Sequence, residues 1–326
     1  MVNRSLLALV GALVVASAVV LRVTPESLLP EPERPFRWQA SAPARLGGLS
    51  YPRNATGADS VTATIDAPPR RLVSQASSTD EFLYSIVPPE RVVGVSDVAY
   101  MERISNVLEL VRQYQPIVAL DTERILRADP DVVLSPAEMR LDVPALLRAA
   151  GVPVYRAQTM FPTLESVEAQ IRVIGYLAGE DARAEEEAGR FHEVVRLAGA
   201  RKPSGTPAPR VMGFGGVYSY GSETLFHDIL RVLGAENVAA THGFIGYDRV
   251  TDEHIVRWNP EWIVAGADRG HVEDVRARLM AHPAIGATTA ARLGQIVVLE
   301  NHVFLPLSPF AAELVEALAD TLYGPA

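Results

Sequence analysis

Apolar residues recur along this chain in two alternating rhythms. Short apolar runs stand at 91–95 (RVVGV), 132–135, 152–156, 211–214, 262–265 and 296–299, bounded by Gly, Pro, Asp or Ser. Runs of this length between turn residues are the pattern of buried strands. Between them, apolar positions follow helical spacing over residues 79–86, 143–150, 224–233, 272–280 and 309–323. Strands alternating with helices predict a parallel sheet covered by helices. A further alternating stretch at 61–65, closed by Pro68-Pro69, predicts an edge strand. The longest helical pattern lies mid-chain, where Leu164, Val167, Ile171, Ile174 and Leu177 share one face. After Gly179-Glu180-Asp181 a second helix is expected to run to about residue 200.

One strip occurs twice. Residues 121–134 read DTERILRADPDVVL and residues 251–264 read TDEHIVRWNPEWIV. Glu123 aligns with Glu253, Ile125 with Ile255, Arg127 with Arg257, Pro130 with Pro260 and Asp131 with Glu261. Each copy predicts a capped short helix that stops at a proline and leads into a strand. A unit repeated at so long an interval points to two similar lobes rather than a solenoid. Two facing lobes make a cleft, the usual seat of a small ligand.

The chain of 326 residues, 48% hydrophobic and 21% charged, suits a globular protein of two ordinary lobes. A net charge of −9 excludes the basic face that a nucleic-acid partner requires. There is no cysteine, which removes disulfides, iron–sulfur clusters, zinc–thiolate sites and lipid attachment through an N-terminal cysteine. At the N-terminus, Arg4 precedes an apolar run over 6–21 that contains Ala16-Ser17-Ala18, a cleavage pattern of a signal peptide. The run continues past that site to Arg22, so an uncleaved membrane anchor is the alternative. Either reading exports the body. Residues 24–60 hold six prolines, at 25, 30, 32, 35, 43 and 52, and predict a flexible spacer.

Several strings now combine. RLVSQASSTDEFLYSI, RVVGVSD, the strip DTERILRADPDVVL, LLRAAGVPVY, SETLFHDILRVLGAENV and VTDEHIVRWNPEWIVAG fall in this order over roughly residues 61–326. Together they resemble the periplasmic substrate-binding proteins that serve ABC importers of ferric siderophores, haem and vitamin B12. The resemblance implies two Rossmann-like α/β lobes joined by one long α-helix, with the ligand cleft between the lobes. On that plan residues 1–23 are the signal peptide or anchor, 24–60 the spacer, 61–162 the first lobe, 163–200 the bridging helices and 201–326 the second lobe. It also implies a periplasmic protein that is not an enzyme and carries no resident cofactor. Its partners would be a permease and its ATPase in the inner membrane, and a metal-chelate ligand.

In this family one glutamate on each lobe docks with arginines of the permease, and the matching residues are Glu123 and Glu253. Ligand contacts come from the loops after the strands. By position these imply Tyr100 in the first lobe and Tyr218, Tyr220, Tyr247, Arg269 and His302 in the second. Tyrosines offer flat apolar area with a polar tip, suited to a large planar ligand, and Arg269 could balance an anionic complex. These features favour a ferric siderophore, with cobalamin or haem next. Direct metal ligation by His242, His302, Tyr218 or Tyr220 is the haem reading, but the chain has no paired histidine motif and no metal-ligand set is expected. The alternative from another class is a two-lobe chelatase-like enzyme handling a metal or tetrapyrrole. No nucleophile elbow or Walker loop supports catalysis, and GFGGVYSYG at 213–221 departs from the dinucleotide-binding spacing.

Overall fold

The computed structural model describes residues 45–119, 121–139 and 142–325. The apolar leader, the expected membrane tether and the spacer up to residue 44 lie outside the described residues. The chain enters through a small antiparallel sheet, β1 (Arg45–Leu46), β2 (Arg53–Thr56) and β3 (Thr62–Ile65). This corrects the expectation of a flexible spacer through residue 60. The alternation of β2 and β3 buries Ala55, Ala63 and Ile65 against the body. Arg53, also buried, lies 4.9 Å from the ring centres of both Tyr51 and Tyr176. Its guanidinium donates to the Tyr176 carbonyl and to Asp181, each at 2.7 Å. The partners that order this stretch stand more than 120 residues away, beyond the reach of local composition.

The first lobe is built on β4 (Leu72–Ser74), β5 (Val92–Val95), β6 (Ile117–Val118), β7 (Val132–Pro136) and β8 (Val154–Ala157). They form one sheet in the order β6–β5–β4–β7–β8, every pair parallel. Helices α1 (Ser77–Ile86), α2 (Leu108–Tyr114), α3 (Thr122–Arg127) and α4 (Asp142–Ala149) connect the strands. This is doubly wound order: the winding reverses at β4, so the loops after β4 and β7 diverge and open a crevice at the strands' C-terminal ends.

The connection between lobes is a hairpin of two helices, α5 (Leu164–Ala178) and α6 (Asp181–Gly199), on either side of the expected break at Gly179, and not the single long helix that the family plan implies. Thr163 opens α5 with a reciprocal capping box to Ser166. Gly179 ends it in left-handed backbone at φ 72°, a conformation glycine adopts without penalty, and so breaks the long helix in two. The predicted face of α5 is buried throughout (Leu164, Val167, Ile171, Ile174, Leu177). At about 1.5–3 kcal/mol for each such side chain, that face alone seats the helix. The N-terminus of α5 touches the second lobe, where Leu164 N donates to Asp228. Its C-terminus rests on the first, where Arg91 donates to the Ala178 carbonyl and pairs with Glu180.

The second lobe carries β9 (Arg210–Phe214), β10 (Tyr218–Tyr220), β11 (Glu236–Asn237), β12 (Tyr247–Arg249), β13 (Trp262–Ala267) and β14 (Ile296–Glu300). Its helices are α7 (Leu225–Val232), α8 (Val238–Thr241), α9 (Asp252–Trp258), α10 (Val272–Ala281), α11 (Pro283–Gly286), α12 (Thr289–Arg292), α13 (Asn301–Phe304) and α14 (Ala311–Tyr323). The sheet is mixed: β11, β9, β13 and β14 run parallel, while β10 and β12 add an antiparallel edge. The two repeat strips lead into β7 and β13, which belong to separate sheets. An apolar core runs unbroken from Phe82 and Leu134 through Ile171 and Phe191 to Leu230 and Leu318. A stiff join between the lobes follows from that continuity.

Candidate ligand-binding cleft

The strip repeated in sequence is repeated in bonding. Asp121 and Thr251 cap α3 and α9, accepting from Arg124 N and His254 N. Each helix ends in a non-glycine residue with left-handed backbone, Asp129 at φ 46° and Asn259 at φ 42°. An arginine just before or at the start of each lobe's first strand then receives the freed carbonyls. Arg71 donates to the carbonyls of Ala128 and Asp129, and Arg210 to those of Trp258 and Asn259. Glu123 and Glu253 therefore occupy equivalent first-turn positions on identically held helices. Their side chains are 77% and 83% exposed, and each pairs with an arginine one turn on, Arg127 and Arg257. A carboxylate in the first turn is favoured by the helix dipole, and so little burial leaves it open to a partner.

The ligand-side loops lie at the strands' C-terminal ends. Tyr100 stands on a short 3₁₀ turn (Asp97–Tyr100), about one-third exposed, its hydroxyl donating to the Pro116 carbonyl at 2.6 Å. Tyr218, Tyr220 and Tyr247 belong to strands β10 and β12 instead of the loops expected for them. Three-residue strands flanked by glycine carry too short an alternation to be read from sequence. Tyr220 pairs directly with Tyr247 across the ladder, their ring centres 5.4 Å apart. Phe226 and Phe304 close around Tyr220 at 5.3 and 5.5 Å. Gly213 makes room for this cluster, since a Cβ there would stand 2.6 Å from the Tyr220 ring. Burial pushes the Tyr247 hydroxyl up to about 12 and that of Tyr220 higher still. Both stay phenols at neutral pH, which suits stacking and disfavours binding iron as phenolates. Tyr218, on β10 between β9 and the edge strand β12, remains exposed.

Arg269 and His302 converge on Glu300. The Arg269 guanidinium is 4.0 Å from the Glu300 carboxylate, and His302 Nδ1 is 3.2 Å from it. Burial and the charge of Arg269 lower the His302 pKa against the pull of Glu300, so the imidazole is neutral at pH 7. Across the cleft Arg103 lies 3.7 Å from Asp268, which also accepts from Asn301. His242 takes no part in this group: it packs on Trp258 and bonds the Val238 carbonyl. Among the described residues no three His, Asp or Glu side chains are arranged to hold a metal ion. A recess of about 300 Å³ between residues 84–89 and Arg183–Arg190 sits at the far end of α1, away from these loops. Sequence reasoning missed Glu81 on α1, Glu300 at the end of β14, and Asn106 and Asp268 in loops, because single polar residues carry no pattern until the two lobes are brought together.

Comparison with known proteins agrees with this geometry. A family model described as periplasmic binding protein matches residues 72–303, and the chain belongs to that family. The cobalamin-binding protein of Halobacterium salinarum is 27% identical over 313 residues, covering 94% of this chain and 81% of the relative. An uncharacterized ABC transporter substrate-binding lipoprotein of Bacillus subtilis is 24% identical over 291 residues, with 84% and 86% covered. Among solved structures, the apo periplasmic heme-binding protein of Roseiflexus sp. RS-1 superposes with a TM-score of 0.66. It is 22% identical and the match covers 78% of this chain and 98% of that one, a likeness of fold. Among the described residues no helix is long and apolar enough to cross a membrane.

Proposed function

We propose that this protein is the extracytoplasmic substrate-binding component of an ABC importer, and that it captures a bulky metal chelate and delivers it unchanged. Within that class the ligand is cobalamin ahead of a ferric siderophore or haem. The observation that carries this order is the neutralisation of the cleft's own cations. Arg269 faces Glu300 and Arg103 faces Asp268, so neither is left to balance a multiply anionic ferric complex. What the second lobe offers is an aromatic wall of uncharged tyrosines beside paired charges. That surface suits a large ligand with an amide-rich edge and a metal already coordinated. The breadth of the match to a protein named for cobalamin binding supports the same order. On this reading Tyr100, Tyr218, Tyr220, Tyr247, Arg269 and His302 line or support the ligand. Glu123 and Glu253 dock on the permease.

The test is a titration of tryptophan and tyrosine fluorescence with cyanocobalamin, ferrichrome and haemin in turn, with visible spectra recorded alongside. Saturable quenching by cyanocobalamin at concentrations on the order of 1 µM or below, with the added chelate recovered intact, is expected. Quenching by ferrichrome alone, or a Soret shift with haemin alone, would replace the ligand. Chemical turnover of any of the three would overturn the binding role itself.

A further inference from the structure

On the loop side, several lobe-to-lobe contacts are long. The Arg103–Asp268 pair stands at 3.7 Å, and Arg269 reaches the Arg103 and Ser105 carbonyls at 3.4 and 3.5 Å. Asn106 is different. Its Nδ2 lies 2.9 Å from Glu81 Oε1 and 2.9 Å from the carbonyl oxygen of His302. An amide nitrogen carries two hydrogens, so this one donates to each lobe: to α1 of the first and to α13, just after β14, of the second.

Glu81 is an unusual end-point for such a bond. The residue is 6% exposed, and its Oε2 is buried with no hydrogen-bond partner among the described residues. The Ser308 hydroxyl, on the segment between α13 and α14, stands near the carboxyl and offsets part of the effect of its burial. The charged groups that weigh on it, Asp80 on its own helix and Glu313 on α14, are acidic, with Asp97 adjoining Asp80. His302 meets Asn106 through its carbonyl, and its ring is turned to Glu300. A buried carboxyl in such surroundings depends strongly on the few donors it has. Separating the lobes would remove Ser308 from Glu81 and leave the His302 carbonyl without its donor.

We propose that Asn106 is a positioning residue that sets the separation of the two lobes: its paired donation pins the second-lobe loop at His302 to the buried carboxyl of Glu81, fixing the width of the cleft before ligand arrives. The proposal deepens the ligand-cleft reading and takes its functional meaning from it. The strut itself can be measured without ligand.

The chain has no cysteine, so two introduced ones can be labelled cleanly. Leu126 on α3 and Val256 on α9 are exposed and occupy matching positions of the repeat, one on each lobe. Nitroxide labels on Leu126→Cys and Val256→Cys report the lobe separation by pulsed electron–electron resonance. The parent pair should give one narrow distance distribution, the same at about pH 5.5 and about pH 8. Adding Asn106→Leu should broaden and lengthen it at both. Asn106→Asp keeps the shape but loses the donors and, at about pH 8, sets a second carboxylate against Glu81, so it should widen the distance at least as far as Asn106→Leu. Lowering the pH should draw its distribution back as both carboxyls take up protons, Glu81 then donating to the new acid and the new acid to the His302 carbonyl, a response that mere packing would not show. Melting curves of both variants confirm that folded protein is being compared. Distributions that overlay the parent for either folded variant at about pH 8 would sink the strut, whether or not a chelate binds. A widened cleft in a protein that takes none of the three chelates would keep the strut and discard the ligand reading.

Discussion

Arg71 and Arg210 make the same bonds in the two lobes, each closing the C-terminal end of a repeat helix by donating to the carbonyls of a residue pair 130 positions from its counterpart. Neither arginine lies in the repeated strip. Replacing either with Ala orphans helix-end carbonyls that are otherwise satisfied. Arg210→Ala should lower unfolding free energy by about 1–3 kcal/mol, read as a shift of the urea midpoint. A midpoint equal to wild type would show that water satisfies those carbonyls equally well.

Docking should separate from binding. With Glu123 and Glu253 both changed to Arg, chelate affinity should stay within about twofold, because surface charges this exposed contribute little to a distant site. Stimulation of ATP hydrolysis by the cognate importer in nanodiscs should fall to its level without binding protein. Loss of chelate affinity in the double variant would count against the assignment.

The aromatic wall depends on a missing methyl group. In Gly213→Ala the new Cβ would stand 2.6 Å from the Tyr220 ring and 2.8 Å from that of Phe226. Overpacking of this kind costs about 1–3 kcal/mol. Isothermal titration should show chelate affinity reduced at least tenfold with a lower melting temperature. Unchanged affinity would place the ligand elsewhere.

The buried carboxyls predict a pH response opposite to the usual one for acidic groups. Burial raises Glu81 and Asp80 each to about 7. The folded protein thus keeps protons that the unfolded chain gives up from about pH 4 to 5 onward. Their contribution is full below that range and is lost as pH rises through 7. Glu81→Gln should therefore leave stability near pH 5 almost unchanged. Near pH 8 it should raise stability by roughly 1–3 kcal/mol. Urea melts at the two pH values decide it; a variant weaker than wild type at pH 8 would show that the ionised carboxylate is stabilising.

Much of the scaffold was legible because it rests on local signals. The α5 face, the Thr163 and Thr251 caps and the repeated strip declare themselves through period, capping chemistry and self-similarity. The helical hairpin was half visible, since Gly179 was seen as a break without its consequence for the bridge. What stayed hidden depends on partners distant in sequence. Arg53 finds Asp181, and Asn106 finds His302 196 residues on. Tyr220 and Tyr247 were singled out for their chemistry, yet their pairing on adjacent strands is a property of register that no single strand encodes. Arg269 illustrates the opposite failure: a guanidinium in a loop looks available until Glu300 is placed beside it.

Arg53 also decides where mechanical load enters the protein. The first described residues are fastened to the turn between α5 and α6 through Tyr51, Arg53 and Asp181. That turn lies beside Pro68 and Pro69, just ahead of β4 and so at the end of the sheet opposite the ligand loops. Tension applied through the preceding chain would be carried by the Arg53–Asp181 ion pair and by the hydrogen bonds that Tyr176 shares with Gly48, Arg53 and Asn54 at the spine of the molecule. A pull on the chain ahead of these residues would thus reach the helical spine before it reached either loop face, leaving the two lobes undistorted relative to one another.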